Sequence, residues 1–204
     1  MGNDTATRRV SMMKRLIIVT PHPDDETLGC GGTILKHRDA GDEVYWLIVT
    51  RMDEKLFTKE RIRQREHEIK QVEKLYGFNQ TIQLSYSAAK LDEEPASKLV
   101  SDIGSVFTKI EPNIVFVPYR NDIHSDHRIV YDATMSCTKW FRYPSVEKVL
   151  IYETLSETDF IMNTDANGFR PNMFVNISDY LEGKIEIMKI YESEMSLHPF
   201  PRSE

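Results

Sequence analysis

The sequence contains only two cysteines, Cys30 and Cys137, which are far apart and form no CxxC pair. A disulfide framework and a thiolate zinc site are therefore not indicated, and a reducing cytoplasm is the expected compartment. No apolar run approaches the roughly 20 residues that a transmembrane helix needs, so we expect no membrane span. Basic residues are fewer than acidic ones, with 26 Lys and Arg and 32 Asp and Glu. This excess of negative charge argues against a nucleic-acid partner.

What the chain does contain is a regular alternation of apolar, β-rich runs with helical patterns. This alternation is typical of a layered α/β fold with a mostly parallel sheet. The 204 residues suffice for one domain with a full core, which we place at residues 13–204 after an N-terminal tail over residues 1–12. The candidate strands are 14–20, 43–50, 81–86, 113–118 and 148–153, and the candidate helices are 31–41, 58–76, 95–110 and 126–140.

An acidic motif, PHPDDETLGCGG at residues 21–32, follows the first candidate strand. Ligands of open parallel sheets bind beyond the carboxyl ends of the strands, which is where His22 and the following acids lie. Adjacent carboxylates repel each other, so the run from Asp24 to Glu26 indicates a bound cation. His22 and Asp25 are spaced to share that cation, whereas Glu26 is interpreted as structural.

The glycines of this motif raise the alternative of a dinucleotide site. Gly29 and Gly31 supply the G-x-G pattern, but Ile34 stands where the third glycine of that fingerprint belongs. The preceding acids would also repel a pyrophosphate. We therefore interpret the glycines as positions of close helix packing.

A second polar motif, NDIHSDHR at residues 121–128, follows the fourth candidate strand. His124 and His127 are spaced i,i+3, so one imidazole can bind a metal while the other faces the substrate. Asp122 and Asp126 are available to orient the ring N–H groups of these histidines. Both motifs are predicted at the same edge of the sheet, where two imidazoles and a carboxylate with an open position suit a catalytic zinc that carries a water.

Two other functional interpretations stay open on these residues. Two histidines and one carboxylate also form the metal site of non-haem Fe(II) enzymes, although those enzymes generally use β-barrels. A metal-bearing sugar-binding module without catalysis is the third interpretation. For substrate binding, Arg51 at the end of the second strand is a candidate for an oxyanion or phosphate, and Asn121 and Asp122 are candidates for sugar hydroxyls.

Taken together, PHPDDE and NDIHSDHR resemble the LmbE-like, or PIG-L, family of N-acetylglucosaminide deacetylases. The resemblance covers most of the chain. It extends to Arg65 with Glu68, which match an R-x-x-E helix of that family, and to a C-terminal helix at residues 184–194. We include Arg65 among the expected substrate-binding residues.

The resemblance implies a Rossmann-like three-layer sandwich and a hydrolase that removes the N-acetyl group from an N-acetylglucosamine-type sugar or its conjugate. It implies a divalent metal, Zn²⁺ or alternatively Fe²⁺, and is compatible with a homo-oligomer. The implied metal ligands are His22, Asp25 and His127. The implied catalytic residues are Asp24 as general base, His124 as acid or oxyanion stabiliser, and Asp126.

Overall fold

The computed structural model describes residues 13–161, 168–197, 199–200 and 202, so the tail predicted over residues 1–12 lies outside the described residues. Five strands form one sheet in which all neighbouring pairs are parallel, in the order β3-β2-β1-β4-β5. The strands are β1 (Arg15–Thr20), β2 (Glu43–Arg51), β3 (Gln80–Ser87), β4 (Ile114–Pro118) and β5 (Lys148–Tyr152). The predicted α/β fold with a parallel, Rossmann-like sheet is confirmed.

Helices cover both faces of this sheet. They are α1 (Asp25–Asp39), α2 (Lys59–Tyr76), α3 (Ala96–Ile110), α4 (Ser125–Ser136) and α5 (Leu181–Met188). Among the helices of the described part of the chain, none combines the length and apolarity that crossing a membrane would require.

The side chains of the central strand alternate between two hydrophobic layers. Leu16 and Ile18 pack with residues of α1, α2 and α5, whereas Ile17 and Val19 pack with residues of α3 and α4. Successive side chains of a strand point to opposite faces, and a parallel sheet buried on both faces needs apolar residues at both sets of positions. The continuous run LIIV in β1 meets this need and explains the three-layer arrangement.

The strand order places both polar motifs at one crevice. From β1 the chain moves outward through β2 and β3, and it then returns to the other side of β1 to form β4 and β5. Ligand sites of such sheets lie where the order reverses, beyond the carboxyl ends of the two strands concerned. The motifs at residues 21–32 and 121–128 directly follow β1 and β4, which flank that point.

The boundaries of three predicted helices differ from the observed ones. The C-terminal helix predicted at residues 184–194 is observed as α5 (Leu181–Met188), followed by a separate 3₁₀ turn over Glu192–Glu194. Helix α1 is kinked at Cys30, which has a φ of −136° and a ψ of 19°, and the helix predicted from residue 31 corresponds to the segment after this kink. The segment before it begins already at Asp25, because the Asp24 carbonyl accepts hydrogen bonds from the N–H groups of Thr27 and Leu28.

Helix α4 ends at Ser136 rather than at residue 140. There the Cys137 N–H bonds the Thr134 carbonyl, and the Thr138 hydroxyl donates to the Met135 carbonyl in place of a further helical turn.

Helix α2 supplies a simple test of the local structure. The Thr58 hydroxyl accepts a hydrogen bond of 3.2 Å from the Arg61 N–H at the helix N-terminus. We expect Thr58→Ala to lower the free energy of unfolding by about 1 kcal/mol, because this N–H loses its capping partner. Urea denaturation measures the effect. Thr58→Ser is the matched control, since serine can form the same cap; an equal loss in both variants would contradict the capping role.

Candidate metal centre and active site

The loop after β1 is held in an uncommon backbone conformation. Asp24 has a φ of 125°, in the left-handed region that is costly for residues other than glycine. Its N–H donates a 3.0 Å hydrogen bond to Glu26 Oε2, and the other oxygen of Glu26 accepts hydrogen bonds from the hydroxyls of Tyr191 and Thr27. The completely buried Glu26 therefore fixes the loop from behind instead of facing the crevice. Its burial outweighs these hydrogen bonds and raises its pKa to about 7.

Three side chains from the two motifs converge at the crevice. Potential ligand atoms of His22, Asp25 and His127 all lie within 4.8 Å of one another. Asp25 lies between the rings: its Oδ2 is 3.6 Å from His22 Nδ1, and its Oδ1 is 3.5 Å from His127 Nε2. These are the three residues expected to hold a metal.

A carboxylate lies behind each of the two imidazoles. His22 Nε2 is 3.1 Å from Asp126 Oδ2, and His127 Nδ1 is 2.8 Å from Asp122 Oδ2. The remaining ring nitrogens, His22 Nδ1 and His127 Nε2, face Asp25. Metal-binding histidines typically present one nitrogen to the ion while a carboxylate orients the other, so the residues present fit a divalent cation.

A second trio, His22, His124 and Asp126, also has ligand atoms within that distance of one another. Two of its members, Asp126 and His124, accept hydrogen bonds from backbone N–H groups. Asp126 accepts hydrogen bonds from the N–H groups of Ala89 and Leu91, and His124 Nδ1 accepts one from the Asp126 N–H. The first trio is therefore the better candidate for the metal.

The pKa values of His22 and Asp25 reflect the charged side chains that surround them in this cluster. Burial alone would lower the pKa of His22, but its contacts with Asp126, Asp25 and Asp24 outweigh that effect and raise the pKa to about 10. Burial likewise opposes ionisation of Asp25, yet the charge of His127 and the contacts with His22 hold the pKa of Asp25 well below its usual range. The cluster thus keeps a carboxylate ionised deep in the protein and favours a positive charge beside it.

The catalytic candidates Asp24 and His124 border a cavity of about 300 Å³ in front of this trio. Burial and the adjacent Asp25 raise the pKa of Asp24 to about 8, an effect that the guanidinium groups of Arg202 and Arg65 oppose. Burial, together with His22 and His127, lowers the pKa of His124 to about 4. A neutral His124 whose Nδ1 accepts a hydrogen bond carries its proton on Nε2, which makes that atom a donor.

The predicted substrate-binding residues divide into two groups. Arg51 and Arg65 line the cavity. Arg51 is exposed, whereas Arg65 is buried and donates to the Pro23 carbonyl, to Ser193 and to Glu194. Asn121 and Asp122 do not line the cavity: Asn121 donates to the Tyr119 hydroxyl, and both oxygens of Asp122 are occupied by His127 and Thr158.

Several cavity-lining residues were not predicted from the sequence. They include Arg61, Gln83, Glu157, Glu194 and Arg202. Glu194 belongs to the C-terminal stretch that matches the family only loosely, and Arg202 follows a proline-flanked segment without periodicity. The local pattern therefore carried no signal that these residues approach the motif at residues 21–32.

The structure combines a Rossmann-like sheet with a histidine–aspartate cluster at the point where the strand order reverses. These two features define a class of α/β proteins with a candidate metal site. Within that class, the family model described as PIG-L, GlcNAc-PI de-N-acetylase, matches residues 17–138. This is more than half of the chain, which therefore belongs to the PIG-L family. The family resemblance inferred from the two motifs is confirmed.

Individual relatives extend the similarity over most of the chain. A diacetylchitobiose deacetylase from Thermococcus kodakarensis is 28% identical over 202 residues, covering 89% of this chain and 70% of the relative. A probable N-acetyl-alpha-D-glucosaminyl L-malate deacetylase 2 from Bacillus cereus is 25% identical, with coverage of 90% and 84%. Among solved structures, the N,N'-diacetylchitobiose deacetylase from Pyrococcus horikoshii has a TM-score of 0.71 at 25% identity, with coverage of 88% and 70%.

Proposed function

We propose that this protein is a metal-dependent deacetylase that removes the N-acetyl group from an N-acetylglucosamine-type sugar or its conjugate. The observation that carries the proposal is the pair of carboxylate-oriented imidazoles, His22 and His127, which converge on Asp25 beside the cavity-facing Asp24. The family and the named activities of the relatives support the same substrate class.

Amide hydrolysis needs an activated water, a polarised carbonyl and a proton for the leaving amine. A divalent ion held by His22, Asp25 and His127, for which we propose Zn²⁺, would supply Lewis-acid chemistry when bound, lowering the pKa of a water and polarising the acyl carbonyl. Asp24 Oδ is the base that accepts a proton from the attacking water. The proton that Asp24 gains is then available for the leaving nitrogen.

His124 lies on the other side of the same cavity, and its ring centroid is 4.5 Å from that of His22. As a neutral imidazole with its proton on Nε2, it donates a hydrogen bond to the oxyanion that develops on the acyl oxygen. Asp126 acts through its contacts with His22 and His124 and does not line the cavity. Arg51 is the cationic group we propose for the outer part of the substrate.

The direct test is acetate release from a panel of N-acetylglucosamine derivatives, using metal-stripped protein with and without added zinc. We expect zinc-dependent release from at least one derivative, and its aglycone identifies the substrate class. Stoichiometric metal binding without release from any derivative would instead favour a non-catalytic metal-bearing module. Activity that requires Fe²⁺ and O₂ would favour the non-haem iron interpretation.

The carboxylate behind His127 provides a prediction about metal affinity. We expect Asp122→Ala to weaken metal binding by about 10- to 100-fold, because His127 loses the partner that fixes its ring and its tautomer. Competition with a chromogenic chelator measures the affinity. Asp132→Ala is the matched control, since the exposed Asp132 pairs with Arg120 on the surface. Unchanged affinity in the Asp122 variant would remove its proposed role.

A further inference from the structure

The C-terminal part of the chain reaches the loop after β1 through several buried polar contacts. The Tyr191 hydroxyl donates to Glu26, which binds the N–H of Asp24. Arg65 bonds both the Pro23 carbonyl and Glu194. Arg65 and Tyr191, which lie 42 and 165 positions from the residues they contact, thus hold the backbone on either side of the Asp24 side chain.

Arg202 contacts that side chain directly. Its Nη1 donates a 2.6 Å hydrogen bond to Asp24 Oδ2, and only 10% of the Arg202 side chain is exposed. The guanidinium is itself held in place: its Nε donates to Ser156 Oγ at 2.8 Å, and Nη1 lies 3.5 Å from Glu194 Oε2. Nη2 lies 3.7 Å from Glu157.

These contacts give the Asp24 carboxylate a fixed direction. Its backbone is held by Glu26, and its Oδ2 is held by a guanidinium that is anchored on three further side chains. Within the described part of the chain no hydrogen-bond donor is found for Oδ1, which leaves that oxygen to a ligand in the cavity. Hydrogen bonds between ionised partners are short and directional, and a guanidinium holds its donors in one plane. A base that is off by a fraction of an ångström loses much of its effect on rate.

We propose that Arg202 is a positioning residue that holds Asp24 in the orientation required for proton transfer. This inference rests on the proposed deacetylase function and extends it, because neither sequence motif contains Arg202. Arg202 does not belong to the candidate metal trio, so its role is separable from metal binding.

The test compares Arg202→Ala and Arg202→Lys with the wild type in zinc-dependent acetate release. We expect kcat of Arg202→Ala to fall about 10²-fold with KM changed by no more than about threefold, because the substrate still binds while the base is misplaced. Zinc affinity should be unchanged. Added guanidinium chloride at sub-denaturing concentration should restore part of kcat, with sodium chloride as the ionic-strength control. Arg63→Ala, an exposed arginine on the same helix as Arg65, is the matched substitution control.

Other outcomes would overturn the proposal. Full activity of Arg202→Ala would do so, as would a loss confined to KM or to zinc affinity. A loss of kcat that neither guanidinium nor Arg202→Lys restores would indicate that Arg202 only fastens the C-terminal stretch. If the wild type itself released no acetate, the proposed deacetylase function would be wrong. This result is distinguishable from a failure of the Arg202 proposal, which requires an active wild type.

A measurement that needs no activity tests the contact itself. In low-temperature ¹H–¹⁵N spectra of arginine guanidinium groups, the Nη–H resonance lost in Arg202→Lys identifies the Arg202 Nη1–H group that contacts Asp24. We expect Asp24→Asn to shift this resonance and to speed its exchange with water, because the charged partner of the guanidinium is removed. No change would show that the two side chains are not paired in solution and would overturn the proposal.

Discussion

Replacing Asp24 with asparagine should abolish most turnover while leaving the metal bound. Asparagine keeps the size of the side chain and tolerates the left-handed backbone conformation of Asp24 better than most residues do, so the loop should keep its shape. The amide cannot accept the proton of the attacking water. We expect kcat for acetate release to fall by about 10²- to 10⁴-fold, the range for loss of a general base.

The design of this experiment separates chemistry from folding. Alanine is a poorer choice at this position, because it adds backbone strain to the loss of the base. Asp179→Asn, at an exposed acid of the C-terminal region, is the matched control and should retain wild-type turnover. Zinc stoichiometry should be the same in all three proteins. Full activity of Asp24→Asn with zinc bound would eliminate Asp24 as the base.

The fold could be predicted well from the sequence because its signals are local. Four of the five strands are largely apolar runs of β-forming residues, whereas β3 mixes apolar with polar residues. The parallel sheet follows from the alternation of these strands with helical patterns. Gly77 ends α2 with a φ of 63°, and it is a residue type that the αL position favours. The position of the two motifs at one crevice also follows from local information, since each comes directly after a strand.

The remaining parts of the site depend on contacts between distant residues. Asp122 was a candidate both for orienting a histidine ring and for binding a sugar hydroxyl. It lies behind His127, and its other oxygen accepts a buried hydrogen bond from the hydroxyl of Thr158, far along the chain, so neither oxygen is available to a sugar. Arg202 and Glu194 approach the first motif only because the C-terminal stretch packs against it. Neither hydrophobic periodicity nor residue spacing predicts such contacts between residues that are distant in sequence.

The two histidines of the second motif should respond to substitution in opposite ways. We expect His127→Ala to lose zinc binding and acetate release together, because the trio of His22, Asp25 and His127 loses one of its ligands. We expect His124→Gln to bind zinc almost as the wild type does but to lose about 10²- to 10³-fold in kcat, the typical effect of removing one oxyanion donor. Isothermal titration with zinc and acetate release measure the two effects.

Thermal unfolding supplies an independent readout of the same difference. A ligand that binds only the folded state stabilises it by about 2.7 kcal/mol at a concentration 100 times its Kd, so zinc should raise the Tm of the wild type and of His124→Gln. His127→Ala should show no such rise. This variant also leaves the buried Asp25 and Asp122 without their shared partner, which should lower its Tm in the absence of metal. If zinc stabilised His127→Ala but not His124→Gln, the ligands would be His22, His124 and Asp126, and His127 would be a structural residue.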